Sequence, residues 1–329
     1  MYLRRRRKLR VVSAVIIVLA LGFFLFGCAD RKATQVRNSP AAGGEEYPLT
    51  VADDMGRTVT LESRPERLVS LSPGNTEILF ALGLGDKVVG VDDYSDYPPK
   101  AAEVPKVGGF SNPNVEKIVA LQPDLVLATN MHEQAVRRLE EVGIPVAVVS
   151  PKTVEGVLES IEWIGKMTGA GEGAARLVAD LRGRMQKVEA VVKEIPREKR
   201  PWVYYEVYSD PLMTAGPQTL IGQLIELAGG RNIAYDAQAD YPEFSVEAII
   251  ERNPEVIIFP QWHGSESLTV EQVKSRNGWQ QVRAIKNNRV FGVDANIISR
   301  PGPRIVEALE VLAKIIHPEL FEEPAEPSS

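Results

Sequence analysis

Glu116 and Glu247 stand far apart in the chain but in nearly the same local sequence, VEKIVALQPDLVL from Val115 to Leu127 and VEAIIERNPEVII from Val246 to Ile258. Each glutamate sits at the mouth of a short helix with one apolar face. A Pro-acidic corner follows, and then a continuous apolar run that reads as a buried parallel strand. A carboxylate in that place can offset the positive end of the helix dipole, or it can accept a cation brought by a partner. The dipole alone accounts for one such glutamate. Two at matching positions of a duplicated unit point to two similar lobes and to a single partner able to grip both.

Other chemistries find no support in the chain. The three histidines, His132, His263 and His317, are far apart, and no H-x-x-x-H spacing is present to hold a zinc or manganese ion. Neither a glycine-rich phosphate loop nor a G-x-S-x-G elbow occurs. We therefore expect no catalytic residue, no metal and no cofactor: a binding protein, not an enzyme. A net charge of -6 over the whole chain, despite a basic leader, argues against nucleic acid as a partner.

Arg4, Arg5, Arg6, Arg7, Lys8 and Arg10 precede an apolar run from Val11 to Phe26 that ends at Gly27 and Cys28, the only cysteine of 329 residues. Charge, then apolar run, then small residue is the layout of an export signal, and the run is short for a membrane span. Leu25-Phe26-Gly27-Cys28 resembles a bacterial lipobox, in which Cys28 is lipidated and becomes the new N-terminus. Phe26 is bulkier than the residue usual there; an uncleaved anchor helix is the other reading. Either tethers the chain to the outer face of the bacterial cell membrane, and multiple acyl chains hold at about 0.8 kcal/mol per buried CH₂. One cysteine allows no disulfide within the monomer. The expected organisation is a signal peptide over 1–27, a disordered tether over 28–48, an N-terminal lobe over 49–152, a connector over 153–196, a C-terminal lobe over 197–318 and a disordered tail over 319–329.

Within the N-terminal lobe the pattern predicts a hairpin over 49–60 and strands over 67–71, 87–91, 125–128 and 146–149. Between them it predicts a loop over 72–77 leading to a helix over 77–82, and helices over 115–121 and 133–142. Strand and helix alternate, so the sheet should be parallel and the class α/β. Residues 153–195 carry helical periodicity interrupted only around Gly169–Gly173. The stretch from Ala174 to Glu194 alone would span about 30 Å, at about 1.5 Å per residue. The second unit repeats the plan with strands over 202–208, 256–258 and 289–293, a helix over 220–227 and a closing helix over 302–316. Trp163 and Trp279, among apolar neighbours, read as core.

These residues carry a family resemblance. The strings RLVSLSPGNTE from Arg67 to Glu77, GVDDYSDYPP from Gly90 to Pro99 and GGFSNPNVEKI from Gly108 to Ile118 resemble the cobalamin- and siderophore-binding proteins of ABC importers, the class III group with a helical backbone. The resemblance runs from about Leu49 to Ile316, and Tyr94–Pro99 with Phe110–Asn114 is most similar to the vitamin B12 branch. It implies two similar lobes with parallel-type sheets flanked by helices, joined by a long rigid helix, with the ligand in the cleft between them. It further implies delivery to an ABC permease dimer with its ATPase subunits, by a receptor that is itself a monomer. The family's docking glutamates fall on Glu116 and Glu247, where a carboxylate-guanidinium pair with permease arginines would orient as well as attract.

Ligand residues should lie on loops at the strand ends that face the cleft. Tyr94 and Phe110 on the first lobe, and Tyr241, Phe244 and Trp262 on the second, offer flat walls suited to a corrin macrocycle; turn packing beside proline is the alternative for each. The B12 branch often has tryptophan where this chain has Phe110 and Tyr241. Pro73, Asn75 and Thr76 offer polar contacts at a helix N-terminus, although an N-cap role explains Asn75 or Thr76 equally. Arg300, with Arg304 nearby, either reaches the cleft to meet an anionic siderophore or a haem propionate, or is a solvated surface arginine. For haem the axial candidates are His263 and a cleft tyrosine. The leading expectation is a membrane-anchored receptor for cobalamin or a related corrinoid, with a ferric siderophore or haem as the alternative ligand. A surface-anchored α/β enzyme and an adhesion lipoprotein are more distant readings.

Overall fold

The duplicated segment folds twice by the same local rules. In a computed structural model, which describes residues 46–262 and 267–321, Asn114 and Ser245 occupy matching places and cap the two helices, accepting from the backbone N–H of Lys117 and Ala248. Gln122 and Asn253 end them with the same left-handed backbone, φ 46° in each. The acidic column is explained as well: the Asp124 carboxylate accepts from the N–H groups of Glu66 and Arg67, and Glu255 accepts from the N–H of Trp202. In each lobe this carboxylate ties the repeated strand to the start of its neighbour, which is why Asp and Glu interchange there.

In the first lobe β1 (Leu49–Ala52) and β2 (Thr58–Leu61) form an antiparallel hairpin. A parallel sheet of order β4-β3-β7-β8 follows, built from β3 (Leu68–Ser70), β4 (Val88–Val91), β7 (Leu125–Ala128) and β8 (Val146–Val148). Two-residue strands β5 (Gly108–Gly109) and β6 (Asn112–Pro113) pair beside it. Helices α1 (Pro73–Ala81), α2 (Val115–Ala120) and α3 (Glu133–Glu141) flank the sheet. The segment expected to be a loop before α1 is its first turn, with Ser72 as N-cap and Pro73 at the first helical position, where no N–H is required.

The second lobe has β9 (Trp202–Ser209), β12 (Val256–Gln261) and β13 (Val290–Asp294) in parallel, with β11 (Arg231–Asn232) parallel to the start of β9. Its one antiparallel member, β10 (Leu212–Thr214), returns from β9 through a turn at Asp210-Pro211. Helices α6 (Leu220–Leu227), α7 (Val246–Arg252), α8 (Val270–Lys274) and α9 (Arg283–Lys286) surround it. The closing region is three pieces, not one helix from 302: α10 (Ala295–Ser299), α11 (Ile305–Ile316) and α12 (Pro318–Phe321), broken at Pro301 and Pro303. Residues 319–321, expected to begin the tail, thus belong to one more helical turn, Pro318–Phe321.

Between the lobes run α4 (Val154–Thr168) and α5 (Gly171–Val192), folded back on each other through the left-handed Gly169. Arg182 pairs with Glu155, tying the start of α4 to the middle of α5. Helix α5 extends about 33 Å, at a rise of about 1.5 Å per residue. It is bonded to α11 by the bidentate pair Arg184–Glu310, at 2.9 and 2.6 Å. One continuous apolar core runs from Leu68 and Ile78 through Val157, Ile161 and Leu181 to Val203 and Leu309, so the connector is part of the interior of both lobes. Separate cores cover the outer faces of the two sheets, the second containing the fully buried Trp279; Trp163 is buried on α4. The expected signal segment, Cys28 and the tail from Glu322 lie outside the described residues. Among the described residues no helix is long and apolar enough to cross a membrane.

Candidate ligand cleft

The C-terminal ends of the parallel strands in the two lobes border one cavity of about 740 Å³, the size range of a small-molecule site. Tyr94 follows β4, Phe110 lies between β5 and β6, and Trp262 follows β12. Tyr94 and Trp262 are 62% and 58% exposed, so both rings stand open on the wall of the same cavity. Met131, expected by no sequence argument, is 65% exposed on the same wall. An unbranched, polarizable thioether suits a surface that must fit an irregular partner.

Phe110 is held by a residue that sequence reasoning missed as a site element. His132 is buried; its Nδ1 accepts from the Thr129 N–H at 3.0 Å, which places its proton on Nε2, 2.6 Å from the carbonyl oxygen of Phe110. Their rings also meet edge-on at 5.1 Å. Burial pushes the imidazole pKa down, against a smaller upward effect of the Phe110 carbonyl. With both nitrogens engaged, His132 positions an aromatic wall and is not free to bind a ligand.

The Tyr94 loop is fixed from below by a buried polar network. Asp92 accepts from the Tyr94 N–H at 3.1 Å and from the Ser95 hydroxyl, and Lys106 Nζ donates to the Ser95 carbonyl at 2.6 Å. Burial raises the Asp92 carboxyl despite its hydrogen bonds from Ser95 and Tyr94, and lowers the Lys106 ammonium despite Asp92. Thr76 belongs to this network: its hydroxyl is 2.8 Å from both Ser70 Oγ and Ser95 Oγ. Asn75 points inward too, donating to the carbonyls of Ala128 and Val149. At 0% and 2% exposed, Thr76 and Asn75 are structural and do not face the cavity, and Ser72 is the residue that caps the helix. Pro73 does line the cavity.

Arg300 reaches the cleft, and it is not a solvated surface arginine. Its Nη1 is 2.6 Å from Asp96 Oδ1 and 3.4 Å from Glu77 Oε1, and its Nη2 donates to the Tyr94 carbonyl at 3.2 Å. Arg304 makes a bidentate pair with Glu77, at 2.6 and 3.0 Å, and its guanidinium lies 3.8 Å from the centroid of the Tyr97 ring, adding a cation–π contact to the paired charges. Desolvation acts to raise the Asp96 carboxyl, but the hydrogen bond and charge of Arg300 outweigh it and the net shift is downward. Backbones come close here: a Cβ on Gly74 would meet the Pro301 carbonyl oxygen at 2.8 Å. Only glycine fits that approach.

Two expected wall residues are placed elsewhere. Phe244 is half-buried against the outer core of the second lobe, with the Arg252 guanidinium 5.0 Å from its ring centroid, and does not line the cavity. Tyr241 is exposed beside Asp240 and does not line the cavity either; burial first, and Asp240 second, raise its phenol. His263 lies outside the described residues. Glu116 and Glu247 are both near the starts of their helices, α2 and α7. Glu116 is exposed and accepts from Arg138 at 2.8 Å, and its own backbone N–H together with Arg138 holds its carboxyl below the usual range. Among the described residues no group of three or more His, Cys, Asp or Glu is arranged to hold a metal ion.

Comparison with known proteins agrees with this architecture. Residues 68–297 match the periplasmic binding protein family. An ABC transporter substrate-binding lipoprotein of Bacillus subtilis is 35% identical over 93% of this chain and 97% of its own length. A cobalamin-binding protein of Halobacterium salinarum is 34% identical over 92% of this chain and 84% of its own. Among solved structures, the vitamin B12 binding protein BtuF of Vibrio cholerae superposes with a TM-score of 0.67 at 27% identity, covering 79% of this chain and 99% of that one. The heme-binding protein RhuT of Roseiflexus sp. RS-1 gives 0.69 at 26% identity, over 78% and 99%.

Proposed function

We propose a function from the premise that this chain belongs to the periplasmic binding protein family, solute-binding proteins and not enzymes. Such a protein works outside the cytoplasm, taking a small molecule to an ABC permease and its ATPase subunits. The ligand proposed here is cobalamin or a related corrinoid. The observation that carries this reading is the pairing of strongly exposed aromatic rings, Tyr94 from one lobe and Trp262 from the other, across one cavity that Phe110 also lines. Flat rings give a planar macrocycle large contact area for little rotamer entropy. The relative from Halobacterium salinarum, similar over most of both chains, bears the name of a cobalamin-binding protein.

Haem is the second reading, favoured by the likeness to RhuT and by one residue. Tyr94, exposed in the cleft, is the tyrosine whose hydroxyl could serve as an axial ligand, since His132 is fully engaged. A ferric siderophore is the third ligand class. Equilibrium dialysis of residues 49–329 against equimolar cyanocobalamin, haemin and a ferric siderophore tests the choice. Retention of cyanocobalamin alone is expected; retention of haemin, with loss in Tyr94→Phe, would move the protein to the haem group.

The remaining parts of the reading concern attachment and delivery. Cys28 is the proposed lipidation site, anchoring the receptor at the outer membrane face while residues 28–48 act as a tether. Glu116 and Glu247 are the proposed docking carboxylates, one on each lobe, meeting arginines of a permease dimer. The receptor is proposed to act as a monomer. Support for the docking pair comes from the matched helix caps and corners of the two repeats, which give the glutamates equivalent local settings.

A further inference from the structure

Among the described residues lining the cleft, Arg300 is the one basic side chain, against the acids Asp93 and Asp96. Its guanidinium is engaged on three sides by the protein: Asp96, Glu77 and the Tyr94 carbonyl. Glu77 is itself shared with Arg304, so two guanidinium groups face two carboxylates and the cluster is neutral. The two carboxylates differ in accessibility. Glu77 is buried at 2% side-chain exposure, whereas Asp96 stands at the mouth at 57%. Asp96 is thus the carboxylate that a ligand group could compete with, and Arg300 is the cation it would gain.

We propose that Asp96 determines the charge class of ligand that the cleft accepts. By occupying Arg300 it leaves the floor of the site without a free cation, so neutral ligands are taken and polyanionic iron chelates are turned away. This inference rests on the receptor reading of the cleft and narrows it. An anionic ligand must displace Asp96 from its guanidinium and then lie beside two carboxylates, Asp93 and the freed Asp96, which Lys106 and, for Asp96, Arg304 offset only in part; like charges brought together in a partly desolvated site are a source of discrimination. A ligand whose rim carries neutral amides meets neither penalty. Asp96 also needs no role in the fold that its substitution would destroy, because the Tyr94 loop is held independently by Asp92, Ser95 and Lys106.

The test is Asp96→Asn, which keeps the size of the side chain and removes its charge, together with the double variant Asp96→Asn, Arg300→Gln. Binding of ferric dicitrate, as the polyanionic probe, and of cyanocobalamin, as the neutral one, is measured by tryptophan fluorescence at fixed ionic strength. The wild-type protein should bind ferric dicitrate weakly. Asp96→Asn should shift the ratio of ferric dicitrate to cyanocobalamin affinity at least tenfold toward ferric dicitrate, and the double variant should lose that shift. No shift in Asp96→Asn, or a shift that survives in the double variant, overturns the proposal. If wild-type protein binds no cyanocobalamin, the ligand reading fails, but the ferric dicitrate arm still decides the role of Asp96. A fold check by thermal melting accompanies each variant.

Discussion

Glu77 of the first lobe and Arg304 of the second are joined by two hydrogen bonds, Nη2 to Oε1 at 2.6 Å and Nε to Oε2 at 3.0 Å. The carboxylate is buried, and Arg300 comes within 3.4 Å of the same Oε1 oxygen. The Arg184–Glu310 pair fixes the connector to the second lobe, and the Glu77–Arg304 pair joins the two lobes directly at the edge of the cleft.

Glu77→Gln should therefore destabilise the protein through the two guanidinium groups it leaves under-compensated. Breaking a buried pair by removing one partner costs about 3–5 kcal/mol; Arg304 retains some water contact, so the expected loss is near the lower end. Urea denaturation reads it directly, with Arg304→Gln and the double variant completing a cycle. A loss below about 1 kcal/mol would mean the pair is screened like a surface salt bridge.

Tyr94→Ala and Trp262→Ala are expected to lower cobalamin affinity about tenfold or more each, with little change in melting temperature, since both rings are largely exposed in the free protein. Phe110→Ala should cost stability as well, because its ring meets His132. Unchanged affinity in both the tyrosine and tryptophan variants would remove the aromatic walls from the account.

His132 supplies a pH dependence whose sign follows from its depressed pKa. The unfolded imidazole, near the ordinary 6.5, binds a proton that the buried ring refuses. The contribution to stability is therefore fully present above pH about 6.5 and is lost as pH falls below it toward the folded-state pKa. Protonation also removes the acceptor for the Thr129 N–H. Wild-type stability should fall from about pH 7 to about pH 5 more steeply than that of His132→Gln; parallel curves would contradict the assignment.

Glu116→Ala with Glu247→Ala should leave ligand affinity and melting temperature unchanged while lowering uptake in cells carrying the importer. The pair of Glu116 with Arg138 is a surface contact, which solvent screens, so its loss should barely register in a melt. Loss of ligand binding in the soluble double variant would show that these residues belong to the fold or to the cleft.

What is legible in the sequence is whatever depends on neighbours along the chain. The duplicated cap, corner and strand and the helical periodicity of α4 and α5 follow from local pattern; the pattern of aromatic loops does not separate Tyr94, Phe110 and Trp262, which line the cavity, from Tyr241 and Phe244, which do not. The start of α1 escapes that reading because Ser-Pro-Gly-Asn also describes a turn, although Ser72 before Pro73 is equally the signature of a helix start. Taking it for a loop points Asn75 and Thr76 toward the ligand, when the helix turns them to the core. Arg300 and Arg304 cannot be decided locally because their partner Glu77 lies more than two hundred residues away in sequence. Only the Thr129-x-x-His132 cap is local in sequence; the hold of His132 on Phe110 rests on a carbonyl oxygen 22 residues away and leaves no signal.

Calorimetric titration of residues 49–329 with cyanocobalamin decides whether the cleft receives a corrinoid. One site per chain is expected, with a dissociation constant in the nanomolar range, about -12 kcal/mol. Heat no greater than dilution with cyanocobalamin, alongside saturable binding of haemin or a ferric siderophore, would contradict it.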